Sequence, residues 1–309
     1  MKRVFFLIVM ACCVVISFAQ KKTVGQQTTK EPTAEELYQK AFNYLRGENG
    51  LPIDTVKAIE SYKEAAAMGY APAQYETYVI YYLDGQQSLA LEWLLKAAAQ
   101  NYTKAIYRLF LIYKNGDRVD KDVNEAYKWL KKGAELGNPL CQWLWGSTYH
   151  YGEDGFPVNV NQAIYWLEKA ANQNQDDAMA ELGELYQDGE LVKRDIEKTI
   201  YWYQKAAELK NEIAIERLAM MYHSGDGVDV NKEKAFKLMK EAASLGNPTA
   251  QMKTGIMYKE GIGCEKDRYA AIHWWNIALK NPKSSQEDKE MLKRWLDKEY
   301  NGKAENHRE

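Results

Sequence analysis

The stretch YWLEKAA at residues 165–171 returns thirty-six residues later as YWYQKAA at residues 201–207. Related copies begin at Glu92, Lys128 and Lys237. One position near the end of each copy recurs along the chain, at Ala65, Ala97, Gly133, Ala170, Ala206, Ala242 and Ala278. A tyrosine upstream recurs independently, at Tyr44, Tyr81, Tyr113, Tyr149, Tyr186, Tyr222 and Tyr258. Two landmarks that agree in number and spacing predict seven repeats, of which the second is the shortest.

Each repeat has the pattern of two helices. Ala163, Trp166, Leu167 and Ala170 recur at the spacing of one face of a 3.6-residue helix, and this is the second helix of its repeat. The first helix is expected to end at a glycine three residues after the landmark tyrosine. The second helix is expected to end at a glycine or asparagine in the left-handed conformation. These residues are Gly69, Asn101, Gly137, Asn174 and Gly246.

The repeat resembles a known family. The order Ala-x-x-x-Leu-Gly-x-Leu-Tyr-x-x-Gly, followed by Trp-Tyr-x-Lys-Ala-Ala, is similar to the Sel-1-like repeat, a relative of the tetratricopeptide repeat. The resemblance covers roughly residues 34–282 and implies an all-α fold, an α/α solenoid that forms a right-handed superhelix and holds other proteins. The expected units of the solenoid at 32–282 are approximately 34–70, 71–101, 102–137, 138–174, 175–210, 211–246 and 247–282. A capping helix is expected over 283–300.

The two ends of the chain differ from the repeats. Residues 1–19 have two basic residues, an apolar run and a small residue at Ala19, which is typical of a secretory signal peptide. The protein is therefore expected to be exported, to the periplasm or the outside, and to begin at Gln20. An alternative places a lipid anchor at Cys12, but the apolar run continues past that cysteine. Residues 20–31 are expected to be a flexible linker and 301–309 a disordered tail.

Composition and motifs narrow the function. The formal net charge of −2 argues against nucleic acid as a partner, since its phosphates are bound by clustered Lys and Arg. No later segment is apolar enough to span a membrane. The four histidines and the cysteines do not have metal-ligand spacing, and no catalytic motif is present, so we expect no metal, no cofactor and no enzyme activity. Nothing in the sequence indicates an obligate homo-oligomer.

The first helix lines the concave side in proteins of this class, so its variable positions are expected to bind a protein or peptide partner of unknown identity. Two columns on these helices are the candidates. One is aromatic in the amino-terminal half of the chain, and the other is mixed. The candidates are Tyr75, Tyr107 and Trp143 in the first column and Tyr82, Lys114 and His150 in the second. The alternative is that the aromatic column packs between hairpins.

The column of Trp93, Trp129, Trp166, Trp202 and Trp274 on the second helices has the register of the core alanines and is interpreted as packing.

Two other functional classes remain open. Some cysteine-rich, secreted Sel-1-like proteins are credited with hydrolysing or binding β-lactams, and their repeats carry paired cysteines. Beyond the signal peptide this chain has only Cys141 and Cys264, three repeats apart, so the hydrolase alternative lacks the residues that would support it. The other alternative is a passive structural element of an envelope assembly. A non-catalytic binding scaffold is the preferred hypothesis.

Overall fold

The computed structural model describes residues 31–305. The expected signal peptide, the alternative lipid site at Cys12 and nearly all of the expected linker lie outside these residues, as does 306–309. Within 31–305 there are fifteen α-helices, one 3₁₀ turn and no strand, which confirms the predicted all-α repeat fold. The chain divides into two compact units, one ending at Ile80 and one beginning at Tyr81.

The first unit contains a helical hairpin and the start of a third helix. These are α1 (Ala34–Arg46), α2 (Thr55–Ala67) and α3 (Ala71–Leu83), which continues past the end of the unit. Helix α1 begins with a capping box, in which the side chains of Thr33 and Glu36 each accept a hydrogen bond from the other's backbone nitrogen. Buried alanines and the Tyr62 ring fill the space between α1 and α2.

The second unit contains the remaining helices. They are α4 (Gln87–Ala99), α5 (Thr103–Asn115), α6 (Val123–Glu135), α7 (Pro139–Tyr151), α8 (Val160–Ala171), α9 (Asp176–Asp188), α10 (Ile196–Glu208), α11 (Glu212–Ser224), α12 (Lys232–Ser244), α13 (Pro248–Glu260), α14 (Arg268–Lys280) and α15 (Gln286–Glu305). From α4 to α15 each helix packs against the next one in the chain. The odd-numbered helices α5 to α13 are the first helices of their repeats, and α9 also contacts α7 and α11.

Local sequence explains where the helices begin and end. Every second helix except α4 begins at an Asp or Asn whose side chain accepts a hydrogen bond from the first turn, as Asp195 does for α10 at 3.1 Å. Gln86, which precedes α4, makes no such hydrogen bond. The glycines predicted to end the first helices follow those helices and are left-handed, at Gly47, Gly116, Gly152, Gly189, Gly225 and Gly261. The left-handed conformation predicted at the ends of second helices is confirmed at Gly69, Asn101, Gly137, Asn174 and Gly246. After α10 the left-handed residue is Lys210, with φ of 66°, at the position that other repeats fill with glycine or asparagine.

The core follows the predicted register, and its most deeply buried bulky position lies one residue after the tryptophan column. Trp166 is buried, and Trp129, Trp202 and Trp274 are half-buried against hydrophobic clusters, which fits the predicted packing role. The next position is at most 2% exposed in six repeats, at Leu94, Leu130, Leu167, Tyr203, Met239 and Trp275. It precedes the register alanine, or Gly133 in one repeat, by three residues and therefore shares its face.

A glycine inside some first helices admits the bulky core residue of the second helix. A Cβ on Gly183 of α9 would lie 2.5 Å from the ring of Tyr203, which is fully buried. A Cβ on Gly255 of α13 would lie 2.3 Å from the indole nitrogen of Trp275. Glycine therefore permits a close approach of the two helices, although it lowers helix propensity by about 1 kcal/mol relative to alanine.

Helix α15 covers the end of the last repeat. Leu292 and Leu296 are buried in one cluster with Trp275. The helix runs from Gln286 to Glu305 and so continues into the 301–309 segment for which a disordered tail was predicted. Its Glu299 pairs with Lys259 at 2.9 Å and Arg268 at 2.8 Å. In the described part of the chain, no helix combines the length and the apolar composition needed to cross a membrane.

Candidate functional site

A cleft with a volume of about 310 Å³ lies in the second unit. We call it the central cleft. Most of its wall comes from α7, α9 and α11, which are the first helices of three consecutive repeats. Its lining from these three helices comprises Trp143, Leu144, Ser147, Thr148, Tyr151, Asp177, Ala180, Glu181, Glu184, Ile213 and Arg217. The cleft therefore combines aromatic, acidic and basic side chains on the first-helix surface.

A buried carboxylate lies at the wall of the central cleft. The side chain of Glu181 on α9 is only 8% exposed. Its Oε2 accepts hydrogen bonds from Trp143 Nε1 at 2.8 Å and Ser147 Oγ at 2.5 Å, and its Oε1 lies 2.9 Å from His150 Nδ1. The three partners follow one another on α7 at a spacing of four and three residues, so they share one helix face. This network compensates the burial of the carboxylate and joins two repeats.

A line of alternating charges continues from the cleft towards the last repeat. The Tyr151 hydroxyl donates to Glu184 at 3.3 Å, and Arg217 lies 3.4 Å from the same carboxylate. Arg217 is also 4.0 Å from Glu216, whose side chain is 6% exposed and pairs with Lys253 at 2.6 Å. The line runs across α9, α11 and α13, so the charges of the cleft wall are paired between repeats.

Burial changes the pKa of two groups at the cleft. Burial and the neighbouring Asp176 raise the pKa of Asp177, although the side chain of Asn211 donates to it at 3.2 Å. Partial burial, together with the Glu181 and Glu184 carboxylates, raises the pKa of Tyr151, whose hydroxyl therefore stays protonated at neutral pH. Tyr151 is 54% exposed, so its ring also offers contact area to a partner.

Lys114, one of the six candidate residues, lies at the edge of the central cleft. Its Nζ lies 3.3 Å from the Tyr127 hydroxyl and 3.4 Å from Glu153, and 5.5 Å from the centroid of the Phe110 ring. Burial opposes the charge of Lys114, but the hydrogen bond to Tyr127 and the nearby carboxylates outweigh it and raise the lysine pKa. Lys114 therefore remains cationic.

The structure brings three of the six candidates to the central cleft. Trp143 and Lys114 line it, and His150 binds its Glu181. Tyr107 is half-buried and packs against the cluster around Phe110.

Tyr82 and Tyr75 lie elsewhere. The Tyr82 ring lies beneath the guanidinium of Arg118 at 4.0 Å, and its hydroxyl donates to Asp117 at 3.1 Å. Tyr75 belongs to the first unit, is half-buried and has its ring 5.7 Å from that of Tyr78. The five candidates of the second unit therefore do not form one site, and the role of all six residues in binding stays a prediction.

Several residues of the cleft were not identified from the sequence, chiefly Ser147, Tyr151, Glu181, Glu184 and Arg217. Glu181 follows its three partners by between 31 and 38 residues, which is about one repeat. The pattern that could have revealed it is the row of donors on one face of α7. Such a row predicts an acceptor at the matching position of the next first helix.

Ser147, His150 and Glu181 are residue types that hydrolases use, but their arrangement differs. The Ser147 hydroxyl donates to the carboxylate, and His150 contacts that same carboxylate through Nδ1. In a hydrolase triad the base accepts from the nucleophile, and the carboxylate orients the base. Within the described residues no group of three or more His, Cys, Asp or Glu side chains is placed to hold a metal ion. Cys141 is buried, which raises its thiol pKa to about 12.

Comparison with protein families identifies the class. The Sel1 repeat family matches seven segments, which together cover most of the chain: 41–70, 81–102, 103–138, 139–175, 176–211, 213–247 and 248–281. The chain therefore belongs to the Sel1 repeat family.

Two solved structures support the fold. A protective antigen of uropathogenic Escherichia coli, c5321, described as displaying an SLR fold, is 28% identical with a TM-score of 0.72 and covers 89% of this chain and 58% of its own. A Sel1 repeat protein of Oxalobacter formigenes is 24% identical with a TM-score of 0.68 and covers 85% and 76% respectively. The second likeness shows the fold alone.

Two curated relatives carry descriptions of function. Chitin synthase regulatory factor 3 of Schizosaccharomyces pombe is 32% identical over 149 residues, or 45% of this chain and 16% of that protein. Chitin synthase regulator SKT5 of Saccharomyces cerevisiae is 33% identical over 154 residues, or 47% and 22%. The chain thus matches less than a quarter of the length of either relative.

Proposed function

We propose that this Sel1 repeat protein is an exported, non-catalytic scaffold that binds a partner protein or peptide at the central cleft. The observation that carries the proposal is the cleft itself, in which Trp143 and Tyr151 of α7 and Arg217 of α11 lie on either side of the wall formed by α9. Tryptophan, tyrosine and arginine are the residue types that most often dominate protein-binding surfaces. A surface assembled from several repeats is also how solenoid proteins recognise extended partners.

Two further observations support a scaffold over an enzyme. The Ser147 hydroxyl is bound to Glu181 and not to an imidazole base, so the cleft offers no activated nucleophile of the usual kind. The two yeast relatives are named regulators of another enzyme, chitin synthase. From these two relatives we take only the idea that this chain acts through a partner protein, because the match covers less than a quarter of either relative.

Differential affinity capture tests the binding surface. The wild-type chain and two variants, Tyr151→Ala and Tyr165→Ala, are used as bait in extracts of the source cells, and bound proteins are quantified by mass spectrometry. Both tyrosines are about half exposed, but Tyr151 lines the cleft and Tyr165 lies on α8 outside its lining. We expect at least one protein to be depleted with Tyr151→Ala and retained with Tyr165→Ala. Identical capture by all three baits would contradict the proposal.

Export is tested separately. Amino-terminal sequencing of the protein from its source is expected to give Gln20 as the first residue, because Ala19 closes the apolar run. An acylated Cys12 at the amino terminus would show that the protein is anchored by a lipid and is not cleaved after Ala19. A retained Met1 would contradict export through a cleaved signal peptide.

A further inference from the structure

A second cavity, with a volume of about 160 Å³, lies between α11, α12 and α13. We call it the methionine cavity. Its apolar lining is Ala219, Met220, Met239, Ile256, Met257 and Ile262. At roughly 30 Å³ per water molecule the volume corresponds to about five waters, so it has room for one medium-sized side chain. Methionine side chains adapt their shape readily, which suits them to enclose an apolar group.

Two polar residues, His223 and Lys253, complete the lining of the methionine cavity. They occupy the positions in α11 and α13 that His150 and Glu181 occupy in α7 and α9. In the earlier pair the carboxylate of Glu181 is the partner of the imidazole. In the later pair that carboxylate is replaced by an ammonium. Nδ1 of His223 is buried and has no hydrogen-bond partner within the part of the chain that the structure describes.

Lys253 can bind a second acceptor. Its Nζ carries three N–H donors, and the structure directs one of them to Glu216 Oε1 at 2.6 Å. The cavity wall therefore has two groups that can donate, the imidazole of His223 and the ammonium of Lys253, beside an apolar interior. A buried polar atom without a partner is unfavourable, so an acceptor supplied by a ligand would be bound favourably there. Compared with the His150–Glu181 pair, the lining of the methionine cavity lacks the carboxylate that would accept these hydrogen bonds.

The methionine cavity is linked to the central cleft through shared wall residues of a third depression. Lys253 also lines a polar cleft of about 380 Å³ beside α11 and α13. That polar cleft in turn shares Ile213 and Arg217 with the central cleft. The three depressions thus adjoin one another through shared wall residues on the first helices. This arrangement suits a partner chain that lies on the central cleft and ends in the methionine cavity.

We infer that the methionine cavity binds the C-terminal residue of the partner chain, with its apolar side chain against the methionines and its α-carboxylate accepting hydrogen bonds from Lys253 and His223. The inference rests on the proposed function and names the element that the site recognises. Capture of a free chain end by fixed donors is an established mode of peptide recognition. Binding requires both the apolar side chain and the negatively charged α-carboxylate of the C-terminal residue, because the cavity supplies a partner for each.

The test is a titration of the full chain, labelled at the methionine methyl groups, followed by NMR. The probes are the peptide acetyl-Gly-Ser-Ser-Leu with a free carboxylate, the same peptide as an amide, and 4-methylpentanoate. We expect the acid peptide to shift the Met220, Met239 and Met257 resonances and to leave that of the distant Met179 unchanged. We expect the amide to bind at least about tenfold more weakly, since a charge-assisted hydrogen bond is lost.

Two variants probe the donors. Lys253→Met removes the ammonium, and His223→Leu removes the buried nitrogen without disturbing the Lys253–Glu216 pair. Each is expected to weaken the acid peptide at least about fivefold while the thermal melt shows a folded protein. Lys237→Met, on the exposed surface of α12, is the control and is expected to bind as the wild type does. If His223→Leu folds and binds as tightly as the wild type, the assignment of the donors is wrong.

Other outcomes of the titration and of the capture experiment also test the inference. Equal affinity for the acid and the amide, or shifts away from the three methionines, overturns the inference. Equal affinity for 4-methylpentanoate and the peptide assigns the cavity to a small free acid and overturns its assignment to a chain end. If capture depends on Tyr151 but the peptide does not bind, the proposed function stands and this inference fails. If the peptide binds but capture ignores Tyr151, the central cleft is the part that fails.

Discussion

The indole nitrogen of Trp143 donates to Oε2 of Glu181, one repeat further along the chain, at 2.8 Å. The edge of the indole is therefore held by the neighbouring repeat, while the residue also lines the central cleft. Trp143 was predicted as a binding residue, with packing between hairpins as the alternative. The hydrogen bond shows that Trp143 joins two repeats in addition to forming the cleft wall. A substitution of Trp143 will thus affect folding as well as any binding.

The Glu181 network is expected to contribute measurably to stability. Glu181→Ala removes the acceptor of Trp143, Ser147 and His150 and is expected to lower the free energy of unfolding by about 2–3 kcal/mol. Glu181→Gln keeps one acceptor and should cost less, about 1 kcal/mol. Urea unfolding followed by circular dichroism measures both. Glu190→Ala, at an exposed position, is the control. If Glu181→Ala unfolds at the wild-type urea concentration, the network does not hold the repeats together.

Tyr107 provides a test of the aromatic column. Because it is half-buried against Phe110, we expect Tyr107→Ala to lower the free energy of unfolding by about 1–2 kcal/mol. Tyr107→Phe keeps the ring and should change stability little. Thermal melts of both variants, with affinity for any partner recovered by the Tyr151-dependent capture, separate the two roles. A binding hot spot would instead lose about 2 kcal/mol or more in affinity with an unchanged melt.

The repeat register is tested at Ala206, which is fully buried. Ala206→Glu places a carboxylate between closely packed helices without a partner and is expected to destabilise the protein by about 3 kcal/mol. The matched control is Gln204→Glu, two residues away on the exposed face of α10. Both changes add the same charge, so only burial distinguishes them. Equal unfolding midpoints for the two variants would show that the register is wrong.

The attachment of α15 is expected to depend on pH. Hydrogen bonds from Lys259 and Arg268 lower the pKa of Glu299 below its ordinary value. A carboxylate with a lowered pKa stabilises the fold fully above its unfolded pKa of about 4.3, and this stability is lost as the pH falls through the folded pKa. Glu299→Gln should therefore cost about 1 kcal/mol at pH 7.

The difference in the free energy of unfolding between wild type and Glu299→Gln should shrink towards zero in acid. Unfolding curves of wild type and Glu299→Gln at pH 7, 5 and 3 provide the measurement. If the stability difference stays constant down to pH 3, ionisation of Glu299 does not stabilise the attachment of α15.

The sequence predicted what is repeated and local. The period, the helical hairpins and glycines such as Gly189 follow from helix periodicity and from the left-handed conformation, both of which short segments encode. The division of the chain at Ile80 was not foreseen. Within the core, the tryptophan column was recognised, but the more deeply buried position of Tyr203 and Trp275 was not singled out. That position depends on the glycine of the preceding helix, which admits the large ring.

The candidate site was predicted less well, for a physical reason. Its contacts join residues one repeat apart, and the sequence does not state which side chain of one first helix meets which of the next. Glu181 reads as a surface acid until its three donors on α7 are known. Tyr82 reads as a groove residue until Arg118 is found above its ring. Alignment of first helices one repeat apart would have suggested the first of these pairs.

The most direct test of the account is site-specific photo-crosslinking from the central cleft. Benzoylphenylalanine is placed at Tyr151 in one full-length variant and at Tyr165 in another, since these residues are 54% and 47% exposed and only Tyr151 lines the cleft. After irradiation in cells of the source organism, we expect a discrete crosslinked protein from position 151 that is absent from position 165. The same crosslinks from both positions, or a crosslink from position 165 alone, would contradict the central cleft as the binding surface.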